Sequence, residues 1–410
     1  MKVRNIVLIT TIPTALLAVS LLGGSGLVLR LFFLSVLVPL ASFLWTVFSI
    51  RGISVWAEPP PEHCQVGKKF QQEMTVTNSS RFPKLWLRIE EGTNMGGYRD
   101  AEVLNLSAGS SHRWESGVYC RRRGRYDLGT VVVTSTDPFG LFSRKRTLGE
   151  PQSVLVYPAT FELPLFRSVS FNEFGRSAGY QSISQISPNA SSVREFYSGD
   201  SLNHIHWRST AHTGRLMVKL FDADRSSNVA KTVWVVLDMQ AASHVGEGDE
   251  STEEYAVKIA ASMAKKHLDT GMRVGLIAYA DQSYYIPPDR GEDHLWRILE
   301  ALAVARATGK ETVGQLLSDQ MEQLRGNSIV IIVTASVSGE LFDATRQLRN
   351  RVDAVVVVQI DASSFGGQPG ALNIARNLSA TGVQVYVVGQ GDELATALDH
   401  RVSLLHARHV

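Results

Sequence analysis

The stretch Thr232–Leu237, with the sequence TVWVVL and with Asp238 directly after it, decides the fold of the C-terminal part of this chain. Its side chains are apolar at successive positions, which is typical of a strand buried on both faces of a sheet. Residues 253–268 then carry apolar side chains at helical spacing, with Ala256 and Ile259 on one face. A buried strand followed by an amphipathic helix is the repeating unit of a parallel sheet that helices cover on both faces.

The same alternation continues towards the C-terminus. Apolar runs predict further strands at 274–279, 329–333, 354–360 and 383–388, and helical spacing predicts helices at 295–305, 313–324, 341–348, 371–378 and from residue 394 onward. We therefore predict an α/β domain over residues 231–410 that contains a doubly wound parallel sheet. Ligands of such sheets bind beyond the carboxyl ends of the strands, which is where Asp238 stands.

The pattern upstream of this domain is different. Residues 74–77 and 85–89 alternate apolar and polar side chains, and turn-forming residues separate such runs. Short alternating strands at this spacing predict a β-sandwich, or a small barrel, over residues 52–158. Residues 159–230 begin with a segment rich in Ser, Asn and Gly, which predicts a linker, and continue into a segment dense in charged and aromatic side chains.

Two apolar runs without any charged side chain, Ile6–Leu22 and Leu31–Ile50, lie near the N-terminus. A helix needs about 20 apolar residues to cross the hydrocarbon core of a bilayer. The two runs and the short glycine-rich connection between them predict a transmembrane helical hairpin over residues 1–51. The first run also has the charged flank of a signal peptide, which is the alternative for that segment.

Basic residues flank the hairpin on its outer ends, with Lys2 and Arg4 before it and Arg51 after it, whereas the connection carries only Arg30. Cytoplasmic flanks of membrane spans are enriched in Lys and Arg. We therefore expect a two-span protein of the cell membrane, with its soluble domains in the cytoplasm and the lipid bilayer as one partner.

Composition argues against several functional classes. A net charge of +2 and an isoelectric point near 8.5 do not indicate a nucleic-acid partner. The two cysteines, Cys64 and Cys120, provide no disulfide framework and agree with a reducing compartment. The chain contains no Gly-x-x-x-x-Gly-Lys-[Ser/Thr] loop, and its Gly-x-Ser-x-Gly match, GRSAG at 175–179, lies in the Ser-, Asn- and Gly-rich segment and not between a predicted strand and a predicted helix, as a nucleophile elbow requires. We therefore expect no enzyme activity and no cofactor.

One segment nevertheless holds side chains that catalytic metal sites use. His204 and His206 are two positions apart, with Asp200 nearby, so on a strand both imidazoles would point to one face. Such a pair can ligate zinc, which makes a metal-dependent hydrolase the alternative function. A structural role for both histidines is the other interpretation, because no third convergent ligand is evident.

The same segment carries a longer motif. It reads VREFYSGD over residues 193–200, SLNHIHWR over 201–208 and GRLMVK over 214–219, and GRYDLG at 124–129 and DPFGL at 137–141 precede it. This arrangement resembles the bacterial and archaeal DUF58 family, for which no biochemical activity is established. The signature positions that we expect to bind a partner or to support packing are Arg194, Glu195, Gly199, Asp200, His206, Trp207, Arg208 and Lys219.

The resemblance implies a fold and a partner. Members of the family resemble von Willebrand factor A domains in their C-terminal half and are often encoded beside MoxR-type AAA+ ATPases and transglutaminase-like membrane proteins. The resemblance thus implies a membrane-anchored, non-enzymatic scaffold or adaptor that binds a MoxR-type ATPase through an A-type domain. It further implies a role in the assembly of envelope proteins or other protein complexes, with other envelope-assembly proteins as partners.

A-type domains that bind Mg²⁺ place Asp-x-Ser-x-Ser after their first strand, and oxygen ligands suit that ion. Here the corresponding positions are Asp238, Gln240 and Ala242, and alanine has no side-chain oxygen. Thr334 follows a later strand without an acidic residue beside it, and Asp281 is a further carboxylate near a strand end. We therefore expect a degenerate metal site that holds no ion, in which Asp238 orients a loop.

Two basic runs, Arg121–Arg125 and Arg144–Arg146, have two interpretations. Next to an anionic leaflet each basic side chain gains about 1 kcal/mol. Charged side chains also protect the exposed edge strand of a sheet from pairing with other chains. The sequence does not decide between the two.

Overall fold

The computed structural model describes residues 3–22, 26–95, 101–163, 166, 192–196, 205–220, 232–324 and 326–399. The chain divides into two compact units, residues 1–158 and residues 159–410. The first unit contains apolar helices and several β-sheets, and the second unit contains an α/β region.

Two apolar helices open the first unit, α1 over Val3–Leu21 and α2 over Gly26–Ile50. Among the helices that the structure describes, α2 is long and apolar enough to cross a membrane, whereas the apolar part of α1 is the shorter segment Ile9–Leu21. One span is therefore supported, and the second span stays a prediction.

The C-terminal half of α2 packs on the sheets of its own unit. Ser42, Thr46 and Ser49 are buried and recur at helical spacing, so they form one face of the helix. The Phe43 ring meets the Phe142 ring edge-on, with 5.7 Å between the ring centroids. The last turns of α2 are thus a structural part of the β region that follows.

Ten strands follow α2 in the described part of this unit. They form three sheets with the orders β1-β3-β6, β5-β4-β8-β9 and β2-β10-β7. The strands are β1 (Ile53–Ala57), β2 (Cys64–Gln65), β3 (Lys69–Asn78), β4 (Lys84–Glu91), β5 (Ala101–Leu106), β6 (Ser111–Tyr119), β7 (Gly124–Leu128), β8 (Val131–Thr136), β9 (Ser143–Leu148) and β10 (Gln152–Tyr157).

Two of these sheets enclose a common core. Met74 and Val76 of β3 cluster with Leu87 and Ile89 of β4 and with Val133 of β8. Alternate residues along β3 and β4 are buried, which is the pattern of sheets that turn one face to a core. The region therefore has the two facing sheets that the alternating sequence predicted.

The two basic runs differ in exposure. Arg144, Lys145 and Arg146 are exposed on β9, which is an edge strand. Arg123 of the other run is fully buried. The run at 144–146 is therefore a continuous basic surface, whereas the run at 121–125 is not.

The second unit begins with a hairpin and continues with a six-stranded sheet. The hairpin pairs β11 (Ser192–Glu195) with β12 (Met217–Leu220). The sheet has the order β15-β14-β13-β16-β17-β18. Its strands are β13 (Thr232–Leu237), β14 (Arg273–Tyr279), β15 (Ser283–Asp289), β16 (Gly326–Thr334), β17 (Val352–Ile360) and β18 (Gln384–Val388).

The sequence pattern missed one strand of this sheet. Five of the strands are parallel, as predicted, but β15 is antiparallel to β14 and forms one edge. Its sequence, SYYIPPD, contains Pro287 and Pro288. Proline cannot donate to a sheet ladder, so it weakens a strand prediction, but an edge strand tolerates it.

Helices connect the strands of the second unit and cover the sheet. Helix α3 (Trp207–Thr213) lies between β11 and β12. The helices of the larger sheet are α4 (Thr252–Asp269), α5 (Glu292–Val304), α6 (Val313–Asp319), α7 (Gly339–Arg349), α8 (Ala371–Ala380) and α9 (Leu394–Ala397). The predicted helix at 313–324 is shorter than expected, since α6 ends at Asp319 and turns follow.

The beginning of the predicted linker packs on α4. The Phe161 backbone N–H donates to Ser262 Oγ at 3.1 Å, and Glu162 forms an ion pair with Lys265 at 2.6 Å. Leu163 and Phe166 are buried, and the Phe166 ring contacts His267 and Tyr386. This stretch therefore belongs to the second unit.

Candidate functional site

The direction of winding reverses between β13 and β16. The strands β14 and β15 continue the sheet on one side of β13, and β16, β17 and β18 continue it on the other side. In open α/β sheets the crevice at the carboxyl ends of the strands at such a reversal is the usual ligand site. The register pairs Leu237 with Val333, so the next residues, Asp238 and Thr334, are neighbours at this position.

The Asp238 carboxylate is enclosed and bonded on both oxygens. Thr334 Oγ1 donates to Asp238 Oδ2 at 2.6 Å, and the Gln240 backbone N–H donates to Asp238 Oδ1 at 3.0 Å. The residue is only 1% exposed. Burial raises the pKa of this carboxyl, while the Coulombic interaction with His244 and the two hydrogen bonds oppose that rise.

Thr334 extends this contact into the loop after β16. Its Oγ1 accepts a hydrogen bond from the Ser336 backbone N–H at 2.9 Å, so one hydroxyl serves both as donor and as acceptor. The Gln359 amide, at the end of β17, donates to the Ser336 carbonyl oxygen at 3.1 Å. Asp238, Thr334, Ser336 and Gln359 thus join the ends of three adjacent strands, and we call these four residues the strand-end cluster.

His244 fixes the loop that follows Asp238. Its Nε2 lies 2.9 Å from the Asp238 carbonyl oxygen and must donate to it, because a carbonyl oxygen only accepts. Its Nδ1 lies 3.1 Å from the Thr252 hydroxyl at the start of α4. The loop between β13 and α4 is therefore held at both ends.

Gly309 closes the other side of the crevice. Its backbone N–H donates to the Met239 carbonyl oxygen, and its own carbonyl oxygen accepts from the Ala241 N–H, both at 2.9 Å. A Cβ atom at this position would lie 2.4 Å from the Tyr279 carbonyl oxygen. Only glycine fits between the loop after β13 and the loop after β14, so backbone atoms meet closely at this place.

The residues at this position do not fit a magnesium ion. The Gln240 side-chain oxygen accepts from the Ser243 hydroxyl at 3.0 Å, and Ala242 lies on a short 3-10 helix without an oxygen to offer. The Asp281 carboxylate accepts from the Tyr284 hydroxyl at 3.0 Å. In the part of the chain that the structure describes, no three His, Cys, Asp or Glu side chains form a group that could hold a metal. Mg²⁺ prefers several oxygen ligands in octahedral geometry.

The signature segment forms a hairpin that encloses a short helix. Its antiparallel register pairs Arg194 with Val218 and Glu195 with Met217. The His206 backbone N–H donates to the Met217 carbonyl oxygen at 2.8 Å, and Gly214 ends α3 in the left-handed conformation, with φ of 67°. The signature is thus one supersecondary unit in the described residues.

His206 is the N-cap of α3. Its Nδ1 accepts a hydrogen bond from the Ser209 backbone N–H at 3.1 Å. When Nδ1 accepts, the neutral ring carries its proton on Nε2, so neither nitrogen has a lone pair left for a metal. The side chain therefore supports the helix start and is unsuited to bind zinc in this conformation.

The remaining signature residues fall into three groups. In the first group, Trp207 is 68% exposed and Arg208 is exposed beside it, and Glu195 is exposed as well. Glu195 forms an ion pair with Arg215 at 2.7 Å. Arg194 and Lys219 have defined backbone positions on β11 and β12. The predicted residues Gly199, Asp200 and His204 lie outside the described residues.

Several residues of the strand-end cluster and its surroundings were not predicted. Sequence reasoning identified Asp238 and Thr334 but not Ser336, Gln359, His244 or Gly309. An isolated serine, glutamine or histidine in a loop has no local signal. Gly309 alone had one, because a glycine between two predicted helices often marks a close backbone approach.

The C-terminal part of the chain matches a known family. Residues 192–364 match the family model described as "Protein of unknown function DUF58". The "Uncharacterized protein YeaD" of Bacillus subtilis (strain 168) is 20% identical over 374 residues, which cover 87% of this chain and 89% of that protein. The predicted resemblance is thus confirmed for the signature segment, and neither description states an activity.

Solved structures are similar only in part. The proximal thread matrix protein 1 of the mussel byssus is 14% identical, with 42% of this chain and 46% of that chain covered and a TM-score of 0.32. The CARDB domain of a Pyrococcus furiosus protein is 15% identical, with 26% of this chain and 94% of that chain covered and a TM-score of 0.20. At these TM-scores the likeness supports no conclusion about fold or function.

Proposed function

We propose that this protein is a membrane-anchored, non-enzymatic scaffold whose C-terminal unit is an A-type domain that binds a MoxR-type AAA+ ATPase during the assembly of envelope proteins or other protein complexes. One observation carries the proposal. At the reversal of the sheet, where an enzyme of this architecture would keep its ligand, the buried residues of the strand-end cluster bond to one another.

Two features support an A-type domain, and a third indicates that it binds no metal. The sheet follows the doubly wound order, with β13 in its centre. Asp238 occupies the first position after that central strand, where metal-binding A domains begin their ligand motif. The two following ligand positions, Gln240 and Ala242, have lost the hydroxyl groups that the motif requires. A domain of this kind would recognise partners without a metal, through the exposed side chains at the strand ends.

Different observations support the membrane anchor and the ATPase partner. The helix α2 supports anchoring, and the proposal adds α1 as a second span, with the soluble units in the cytoplasm. The ATPase comes from the family resemblance alone. The exposed Trp207 and Arg208 on the signature hairpin provide a second surface for such a partner, because aromatic and arginine side chains dominate binding at protein interfaces.

The geometry argues against the metal-dependent hydrolase. That alternative needs His206 as a ligand, but its Nδ1 accepts from the Ser209 backbone. A stoichiometric zinc ion in the purified full-length protein that disappears in His206→Ala would favour the hydrolase. The same measurement without zinc would favour the scaffold.

Photo-crosslinking in native membranes tests the partner. A photoreactive residue at Ala242, which is exposed at the carboxyl ends of the strands, should capture an AAA+ ATPase. The matched control is the same residue at Asn327, which is exposed at the opposite, amino end of β16. Capture from position 242 but not from position 327 is the expected result. No captured ATPase, with either ATP or ADP present, would contradict the proposal, and so would equal capture from both positions.

A magnesium titration tests the degenerate site. An ion present at ten times its dissociation constant stabilises the protein that binds it by about 1.4 kcal/mol. We expect no such stabilisation of the full-length protein by Mg²⁺. A concentration-dependent rise that Asp238→Ala abolishes would show a working metal site.

A further inference from the structure

A cavity of about 280 Å³ lies where the end of α2 meets the loop between β3 and β4. Its walls are mainly apolar and include Leu44, Trp45 and Phe48 of α2 and Phe82 of the loop. Lys84, the first residue of β4, is the single charged residue of its lining. A largely apolar cavity with one cation suits a ligand that has an anionic group and a hydrocarbon part.

The Lys84 side chain is buried without a carboxylate partner. It is 2% exposed, and burial lowers its pKa. Its Nζ donates to the Phe48 carbonyl oxygen at 2.6 Å, near the C-terminus of α2, and no ion pair involves it among the described residues. An ammonium group has three N–H donors, and the negative end of a helix dipole offsets only part of the cost of burying it. An anion that reached this ammonium would receive a charge-assisted hydrogen bond.

A second donor lies in the same wall. Trp45 Nε1 is buried, and no residue in the described part of the chain accepts a hydrogen bond from it. A buried indole N–H usually finds an acceptor. The cavity thus has apolar walls and two donors: the indole N–H of Trp45, which has no acceptor among the described residues, and the ammonium group of Lys84, which has no carboxylate partner among them.

The position of the cavity along α2 places it at a membrane surface. With 25 residues, α2 is about 38 Å long, and the hydrocarbon core is about 30 Å thick. About 8 Å of the helix, or about five residues, therefore lies outside the core, shared between its two ends, and the cavity lies at the C-terminal end. Basic and aromatic side chains surround this end: the Arg51 guanidinium lies 5.5 Å from the centre of the Phe48 ring, and Phe82 is 69% exposed. Such residues are typical of a membrane–water interface.

A neighbouring loop also approaches the membrane helices. Leu141 lines an apolar hollow together with Pro13 of α1 and Val38 of α2. The Asp137 carboxylate holds this loop, since it accepts from the Phe139 and Phe142 backbone N–H groups at 3.0 and 2.6 Å. The sheet region thus turns the loop before β9, as well as the loop before β4, towards the helices.

We propose that the cavity between α2 and Lys84 binds an anionic phospholipid of the leaflet at which α2 ends, with the headgroup phosphate on Lys84 and the upper part of an acyl chain against Leu44, Phe48 and Phe82. The inference rests on the proposed membrane insertion of α2. The lipid would fasten the β region to the membrane surface and so fix how that region is presented to the cytoplasm.

Lipid retention by the full-length protein tests this site. The chain is reconstituted into nanodiscs of four parts phosphatidylcholine and one part phosphatidylglycerol and then transferred to mild detergent, and native mass spectrometry counts the lipids that stay bound. We expect one phosphatidylglycerol per chain. Lys84→Met should reduce its occupancy about tenfold or more, because a hydrogen bond to a charged group contributes about 1.5–3 kcal/mol.

Two further variants separate binding from folding. Ala41→Trp fills the cavity and keeps Lys84, so it should also lose the lipid. Leu40→Trp changes the adjacent residue of α2, which is exposed and does not line the cavity, so it should retain the lipid. Retention of the two lipids in the ratio of the bilayer would overturn the proposal, and so would equal loss in Leu40→Trp and Ala41→Trp.

Extraction with alkaline carbonate distinguishes a failure of this site from a failure of anchoring. Protein that stays in the membrane pellet but shows no preference for phosphatidylglycerol would refute the lipid site alone. Protein that is fully released into the supernatant would refute membrane insertion of α2 and the lipid site with it.

Discussion

Replacement of Thr334 by valine tests whether the strand-end cluster stabilises the second unit. Valine has nearly the shape of threonine but lacks the hydroxyl. The substitution therefore removes the donor to Asp238 Oδ2 and the acceptor of the Ser336 N–H without creating a cavity. Both partners are buried, so solvent does not replace the lost bonds.

The expected loss follows from these two bonds. A hydrogen bond to a charged group contributes about 1.5–3 kcal/mol, and a buried N–H left without a partner costs about 1–3 kcal/mol. Since such terms are not fully additive, we expect Thr334→Val to lower the free energy of unfolding by about 3–5 kcal/mol at neutral pH. Thr334→Ser keeps the hydroxyl and should cost only about 1 kcal/mol for the lost methyl group.

The loss should depend on pH. Burial raises the pKa of Asp238 above its value in the unfolded chain, so ionisation of this group opposes folding. That effect is absent below the unfolded pKa of about 3.9 and grows as the pH rises towards the folded value. Loss of the Thr334 donor raises the folded pKa further, so the difference between Thr334→Val and the wild type should increase as the pH rises through the folded pKa of Asp238 in the wild type. In Asp238→Asn this dependence should disappear.

Hydrogen exchange of the full-length protein in mild detergent and increasing urea provides the measurement. Peptides from β13 and β16 report the unfolding of the second unit separately from the first. If Thr334→Val and Thr334→Ser differed by less than about 0.5 kcal/mol, a margin typical of surface substitutions, the contact with Asp238 would contribute nothing and our account of the site would be wrong.

Three further predictions concern single positions. His206→Ala should weaken the start of α3 by about 0.5–2 kcal/mol, measured by hydrogen exchange of residues 207–213, and His206→Asn should restore it, because asparagine is a good N-cap. Gly309→Ala should lower the free energy of unfolding by about 1–3 kcal/mol through overpacking. The control is Gly339→Ala, whose new Cβ meets no atom within 4 Å and which should therefore not lower the free energy of unfolding. Thermal unfolding compares the two variants. Cys64 and Cys120 are buried in one cluster, and their thiols contact each other, which lowers the pKa of Cys64 and raises that of Cys120. If the unit is cytoplasmic, mass spectrometry of native membranes should find both thiols reduced, and a bridge between them would refute that orientation.

The sheet of the second unit could be predicted because its signal is local. The run at 354–360 predicted most of β17, and 329–333 predicted most of β16, since each is apolar almost throughout and bounded by polar turns. The antiparallel strand β15 was not predicted, because Pro287 and Pro288 weaken the strand pattern of its sequence. In the first unit the alternation at 74–77 and 85–89 identified strands, but not which of them share a sheet, because pairing depends on contacts far apart in sequence.

The contacts within the strand-end cluster also depend on residues far apart in sequence. Asp238 could be selected from its position after an apolar strand, and Thr334 from a second such position, but 96 residues separate them in sequence. Their contact follows from the register Leu237 with Val333, which requires β13 and β16 to be adjacent. Adjacency is a property of the sheet order, and several orders are compatible with the same alternating pattern.

Sequence alone therefore could not predict how the residues at the strand ends bond to one another, although this arrangement bears most directly on function. Loss of the hydroxyl positions at Gln240 and Ala242 removes ligands but leaves a cleft in which other chemistry could occur. At this position the structure brings the backbone around Gly309 against the loop after β13 and bonds Asp238 to Thr334 and Gln240. The Asp238 carboxylate accepts one hydrogen bond on each oxygen, and within the described residues no group of three His, Cys, Asp or Glu side chains that could hold a metal includes it. Under the proposed function, the strand ends held by these bonds provide a surface for a protein partner, and a pre-organised surface loses less conformational entropy on binding than a mobile one.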